Sequence, residues 1–303
     1  MDLILHHFDI SPFAEKVRLA FGIKQTSWKS VQIPLVMPKP DLTALTGGYR
    51  KTPVLQIGAD IYCDTQRIAV ELERRLPERT LFPDGSDALT LMLAQWSDVS
   101  FFRPAAALSM GTNRELPEDI LEDRRQFFSY LDFATLEVQL PHFYSQFSAH
   151  AALLNRALAS AGDFLLGDAP AWADILGYFP IWTARSNIAG AAERLELLPA
   201  LLAWEQRMRA VGHGERRELD AGAALEIARS AASTVVAEVS ADAQPPLAVG
   251  QAVTVAPDDY GVVPVHGELL RLTRDDIAIR RADPRAGEVV VHFPRIGYRV
   301  EPG

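Results

Sequence analysis

Over its first eighty residues the chain alternates short apolar runs with amphipathic periods, and that alternation restricts it to few folds. Leu3-Ile4-Leu5 reads as a strand. Phe13, Val17, Ala20 and Phe21 then recur at helical spacing, and Gly22 offers a stop. Residues 28–33 read as a second strand. Pro34, Pro38 and Pro40 mark a loop, and Asp41-Leu42-Thr43-Ala44-Leu45 a helical turn broken by Gly47-Gly48. Two further strands, 54–57 and 61–63, are joined by Gly58-Ala59-Asp60 as in a hairpin. Ile68, Leu72 and Leu76 mark a helix that ends at Pro77. The order β-α-β-α-β-β-α predicts a mixed sheet with helices on both faces.

Three short stretches in this segment carry chemistry. Pro12 suits a first helical turn, so Ser11 falls at a helix N-terminus, beside unpaired backbone N–H groups and the positive end of the helix dipole. Such a place stabilises an anion, although serine there is also an ordinary N-cap. In Lys51-Thr52-Pro53-Val54-Leu55 a cis proline heading the strand would expose the N–H and C=O of Thr52 to an extended peptide. An ordinary trans proline is the alternative. Asp64-Thr65 opens the third helix, where the pair either caps the helix or holds a ligand's ammonium and carboxylate.

Ser11-Pro12-Phe13-Ala14-Glu15-Lys16-Val17-Arg18, then Thr52-Pro53-Val54-Leu55, then Asp64-Thr65, in this order and spacing, resemble the thioredoxin-like N-terminal domain of cytosolic glutathione S-transferases. The resemblance implies that Ser11 activates the glutathione thiol. It implies that Phe13, Lys51, Thr52, Pro53, Asp64 and Thr65 hold glutathione, the co-substrate. Thr52 would pair through its backbone with the cysteinyl part, Asp64-Thr65 would take the γ-glutamyl end, and Lys51 would reach the glycyl carboxylate. Threonine at 65 departs from the family's usual serine. Free thiols titrate near pH ~8.5. A hydroxyl donor at a helix N-terminus favours the thiolate, which is the nucleophile. Gly47-Gly48-Tyr49-Arg50 also resembles bacterial glutathione-dependent β-aryl etherases.

Composition narrows the partners. The net charge of −9 argues against nucleic acid, and no apolar run approaches the length of a membrane span. The start Met1-Asp2-Leu3-Ile4 lacks the basic region of a signal peptide, so a cytoplasmic location is expected. Cys63 is the single cysteine and reads as a buried, inert thiol. The seven histidines show no metal-binding spacing.

Residues 77–86 read as a linker, and 86–235 as an all-helical unit, similar to the C-terminal domain of the same family. A helix over 89–110 kinks at Pro104, another spans 117–147 with an interruption at Pro141, and a third covers 151–161. Ala171-Trp172-Ala173-Asp174 resembles the family's helix start, with alanine where a capping hydroxyl usually stands. Residues 201–211 and 215–235 read as the last helices. A small hydrophobic electrophile would sit between the two domains, against Phe13, Trp96, Phe101, Phe102 and Arg103. The resemblance also implies a homodimer.

After a linker at 240–246, six short β-rich runs (251–255, 261–265, 268–272, 277–280, 288–293 and 298–300) predict a barrel-like β module over 246–303. Standard members of the family have no such addition. The fold class expected is therefore α/β plus all-α, with a small all-β module. The function expected is a glutathione-dependent transferase. The alternative is a non-catalytic binding or scaffolding protein acting through the β module, which Thr65, Ala171 and the module itself favour.

Overall fold

The computed structural model describes residues 2–113, 116–243 and 245–303. Strand β1 (Ile4–His7) pairs β2 (Ser27–Gln32) in parallel and β3 (Val54–Ile57) antiparallel, and β3 turns back on β4 (Asp60–Cys63). Side chains alternate across this sheet. Leu3, Leu5, Leu55 and Tyr62 face the core beneath α1 (Pro12–Lys24) and α3 (Thr65–Arg75); Val54, Ile61 and Cys63 face that of α2 (Pro40–Thr46). Gly22 does not end α1. It lies inside the helix, where a Cβ would fall 2.1 Å from the carbonyl oxygen of Gly212. The helix closes at Gln25, in the left-handed region at φ 46°.

The helical unit comprises α4 (Asp87–Gln95), α5 (Phe102–Thr112), α6 (Glu118–Phe127), α7 (Leu136–Ser160), α8 (Trp172–Asn187), α9 (Ala191–Leu195) and α10 (Pro199–Val211). Its breaks are not at the prolines. A π-helical turn, Trp96–Phe101, separates α4 from α5, and Pro104 sits in the first turn of α5, where it is tolerated. The chain turns at residues 128–135 rather than at Pro141, so α7 runs unbroken through the separate helix expected at 151–161. Asp174 supplies the capping half that Ala171 cannot. Its carboxylate accepts the N–H of Ala171 (3.0 Å) and of Leu165 (2.8 Å) and the indole N–H of Trp204 (2.8 Å). Among the described residues no helix is long and apolar enough to cross a membrane.

The single helix expected over 215–235 divides into β5 (Glu215–Glu218), which pairs β2 in parallel, and α11 (Ala221–Ser230). Asp220 starts α11 by accepting the N–H groups of Gly222 and Ala223. The chain continues through β6 (Glu238–Val239), β7 (Ala252–Pro257), β8 (Val265–Leu272), β9 (Asp276–Asp283), β10 (Gly287–Pro294) and β11 (Tyr298–Pro302). The run 261–265, expected as a strand, instead places its first four residues in the loop between β7 and β8, and only Val265 enters β8.

The barrel-like module read from the sequence is hydrogen-bonded straight into the N-terminal sheet. The strand order is β11-β7-β8-β9-β10-β4-β3-β1-β2-β5, with β6 beside β8. Strand β10 pairs β4 in parallel through Val290, Val291 and His292. Both edges of the N-terminal sheet are therefore covered, which removes two rows of unpaired backbone groups. The inner face of the added strands shares one core with α2, α11 and β4, including Leu42, Leu45, Cys63, Leu225, Val255, Ile279 and Val291.

Candidate functional site

The head of α1 faces a cleft of about 220 Å³. Ser11 is nearly buried there, and its Oγ accepts the N–H of Ala14 at 3.2 Å, so it is an N-cap. That bond uses an oxygen lone pair and leaves the hydroxyl proton to donate elsewhere. Ser11, Phe13, Lys51, Thr52, Pro53, Asp64 and Thr65 all line this one cleft. The Thr52–Pro53 peptide is cis.

Asp64 has φ 75°, a conformation rare outside glycine, which marks the turn from β4 into α3 as strained. One carboxylate oxygen accepts the N–H of Gln66 (2.9 Å) and the other accepts the hydroxyl of Tyr298 (3.1 Å). Tyr298 in turn shares a hydrogen bond with the Tyr49 hydroxyl at 2.8 Å. The added module thus braces the ligand-facing turn. The Thr65 hydroxyl lines the cleft with no hydrogen-bond partner among the described residues. Cys63, just before Asp64 in the chain, is fully buried, and burial pushes its thiol pKa well up, so it stays a neutral thiol.

Several charged groups that sequence reasoning missed also belong to the lining, Asp98 and Lys39 among them. Asp98, on the π turn, accepts both bonds from the buried Lys16 ammonium (2.8 and 2.9 Å) and a third from Gln66 (3.0 Å). Lys16 itself lies over the rings of Phe13 and Phe179 at 5.0 and 4.9 Å. Lys39 projects from the proline-rich loop and is 3.4 Å from the Thr52 hydroxyl. Burial, and then the neighbouring Arg124 and Arg50, bring its pKa down from 10.5 to about 8. Asp64 gives the cleft an anionic group, with the Asp98 carboxylate beside it paired to Lys16; Lys39, Arg50, Lys51 and Arg124 give it a cationic part around Asp123.

The opposite wall differs in part from expectation. Phe102 lines the cleft and packs edge-to-face on Phe13 at 4.8 Å. Trp96, Phe101 and Arg103 do not reach it. The wide π turn rotates Trp96 and Phe101 toward His150 and Phe147, and Arg103 bonds the Tyr130 carbonyl on a different surface. Phe127, Phe128, Asp259 and Tyr260 stand there instead. The last two come from the β7–β8 loop. Asp259 accepts a bond from Lys51 at 2.5 Å, and the Gly261 N–H donates to the Phe127 carbonyl at 3.2 Å. Gly261 has φ +62°, and a Cβ there would lie 2.7 Å from the Phe127 ring, so the seat requires glycine.

Comparison with known proteins agrees with this geometry. A family model described as glutathione S-transferase, N-terminal domain, matches residues 5–80. A GST-like protein from Pseudomonas syringae is 38% identical over 99% of this chain and 99% of its own, with a TM-score of 0.81, so the likeness takes in the added strands. The β-etherase LigF from Sphingobium sp. strain SYK-6 is 17% identical over 69% of this chain and 96% of its own (TM-score 0.55). FzlA from C. crescentus is 20% identical over 69% and 88% (TM-score 0.54). At such identities these two show the fold alone. No curated protein matches the sequence.

Proposed function

The chain belongs to the glutathione S-transferase family, and from that premise we propose that it is a glutathione-dependent transferase acting on a hydrophobic electrophile. The observation that carries this is the convergence of Ser11, Thr52, Asp64, Thr65 and Lys51, from three separate stretches, on one cleft holding charges of both signs. Asp64 and Asp98 receive the γ-glutamyl ammonium. Thr65 donates to the γ-glutamyl carboxylate, and Lys39 and Lys51 take the glycyl carboxylate. The Thr52 backbone pairs with the cysteinyl residue, which brings the sulfur to Ser11.

Ser11 then donates its hydroxyl proton in a hydrogen bond to the sulfur, and the first turn of α1 adds its dipole. The thiol proton leaves to water. A thiol pKa lowered by about one to two units corresponds to roughly 1.4 to 2.7 kcal/mol. The thiolate forms a carbon–sulfur bond with the electrophilic carbon of a substrate lying against Phe13 and Phe102, and the electron pair of the bond broken at that carbon departs with the displaced group, which takes a proton from water. Isothermal calorimetry with glutathione tests the reading: binding is expected, and no heat at millimolar ligand with the fold intact would end it. A cytoplasmic location and a homodimer belong to the same reading. Such a dimer assembles away from the β2 and β4 edges, which β5 and β10 already pair.

Two contacts favour the non-catalytic alternative: Lys51 is already held by Asp259, and Asp64 by Tyr298, both from the added module. Turnover of a generic electrophile, lost in Ser11→Ala, separates the two. A protein that binds glutathione without turning any electrophile over would be the scaffold.

A further inference from the structure

Different parts of the chain secure the two carboxylates at the glutathione end of the cleft. Asp98 is tied to α1 and α3, through the Lys16 ammonium and the Gln66 side chain. Asp64 is tied to the added strands. Tyr298, the first residue of β11, donates its hydroxyl to one Asp64 oxygen at 3.1 Å, and the other oxygen accepts the N–H of Gln66 at 2.9 Å. One bond on each oxygen fixes the plane of the carboxylate. These bonds do not exhaust it, because an ionised carboxylate offers about four lone-pair sites. Asp64 lines the cleft, so the remaining sites can serve a donor there.

Tyr298 is itself fixed. A hydroxyl carries one proton, and Tyr298 gives its proton to Asp64. The 2.8 Å bond between the Tyr49 and Tyr298 hydroxyls therefore runs from Tyr49 to Tyr298. The two donors in series point the same way, toward the carboxylate, and such chains strengthen each member. Both side chains are buried, their rings lie 6.4 Å apart, and each packs on Phe293, at 5.9 and 5.4 Å. Burial, and then the Asp64 carboxylate, raise both hydroxyl pKa values well above the ordinary value, so both remain donors. Strand pairing sets Tyr298 opposite Pro257 of β7. Asp64 sits at φ 75°, a conformation that persists only where the surroundings over-determine it.

We propose that Tyr298 is a positioning residue of the glutathione site: with Tyr49 behind it, it orients the Asp64 carboxylate for the ammonium of the γ-glutamyl residue, so that recognition of this one group requires the added strands. The proposal rests on the transferase reading above. Without the Tyr298 bond the carboxylate is free to turn, and the cost of ordering it falls on binding. Asp98 still offers its charge, so the loss is partial. The thiol and the glycyl carboxylate lie against other residues and keep their contacts.

Calorimetry compares wild type with Tyr298→Phe, which keeps the ring and its packing, on two ligands. One is glutathione. The other is glutaryl-cysteinylglycine, which has hydrogen in place of the γ-glutamyl amino group. Tyr298→Phe should bind glutathione about tenfold more weakly, the scale of one hydrogen bond to a charged group, and the amino-free ligand within twofold of wild type. In an Asp64→Asn background the same substitution should change glutathione affinity less than twofold, because the carboxylate it acts through is gone. Loosened packing alone weakens both ligands alike. Equal losses on the two ligands, an unchanged or tighter affinity for glutathione in Tyr298→Phe, or a full effect persisting in Asp64→Asn overturns the proposal. Should Tyr298→Phe fail to fold, Tyr49→Phe carries the test: a loss of about threefold confined to glutathione supports the proposal, and wild-type affinity or equal losses on both ligands overturn it. Folded wild type that binds no glutathione strikes the transferase reading, and the proposal with it. Wild type that binds glutathione, with variants that do not discriminate between the ligands, strikes the proposal alone.

Discussion

The two walls of the cleft are built by different means. The near wall, Ser11 through Thr65, comes from one folding unit in which each functional residue sits where a strand meets a helix or a proline heads a strand. The far wall is assembled from α5, the end of α6 with the residue after it, and the β7–β8 loop, the last of which lies more than a hundred residues beyond the other two. Backbone geometry fixes the near wall, because helix starts and strand ends have unpaired groups wherever they occur. Side-chain packing fixes the far wall, so it can vary without disturbing the near one. That contrast predicts that near-wall changes act on glutathione and far-wall changes on the electrophile.

The largest effect belongs to Ser11→Ala. Removing the hydroxyl donor should raise the thiol pKa of bound glutathione by about one to two units and lower turnover below that pKa by roughly 10- to 100-fold. Titration of the bound thiol checks it; an unchanged titration would leave the near wall without its defining group. Next is Gly261→Ala. A Cβ at positive φ, 2.7 Å from Phe127, unseats the loop. The expected cost is about 1–3 kcal/mol in urea unfolding, and the KM for the electrophile should rise about tenfold while glutathione affinity, freed of the Asp259–Lys51 pair, changes by no more than a few-fold in the opposite sense. If both constants moved together, the division between walls would collapse.

Lys39 offers a pH test. Its folded pKa is about 8 against an ordinary 10.5, because its charged form is desolvated. The unfolded chain therefore binds more protons between about pH 8 and 10.5, and the ligand-free protein gains stability as pH rises through that window. A bound carboxylate needs the charged form, so glutathione affinity should fall above about pH 8. Comparing wild type with Lys39→Met by calorimetry isolates this limb: the variant binds more weakly at pH 7 and lacks the decline. The smallest effect is expected from Asp259→Asn. Releasing Lys51 from its 2.5 Å partner should tighten glutathione binding a few-fold, since an exposed ion pair is worth up to about 1 kcal/mol.

The near wall was legible because its residue types answer to local rules. Pro12 behind Ser11 marks a helix start, and Thr52-Pro53 and Asp64-Thr65 stand at element boundaries. The far wall was not, for three separate reasons. One extra residue in the π turn changes which side chains between 96 and 103 face inward, so Asp98 and Phe102 line the cleft while Trp96, Phe101 and Arg103 do not. The stretch Gly261-Val262-Val263-Pro264-Val265 has a strand's composition, but the positive φ of Gly261 commits it to a loop. Lys39 stands between Pro38 and Pro40 in a stretch that reads only as a loop, and nothing local shows that it is buried against the Phe8 ring. Charged Glu215–Glu218 likewise lacks the apolar alternation that identifies a strand, because it is an exposed edge.

The register of β10 against β4 has a bearing on biosynthesis. A nascent chain ending near residue 240 already contains every near-wall side chain, but it displays β4 as a bare edge, half of the α2 core open to water, and a groove without Tyr260. The groove is finished only when the ribosome has delivered β10. A chain stopped before β10 is therefore expected to leave apolar surface of this core exposed, the kind of surface that chaperones are suited to shield.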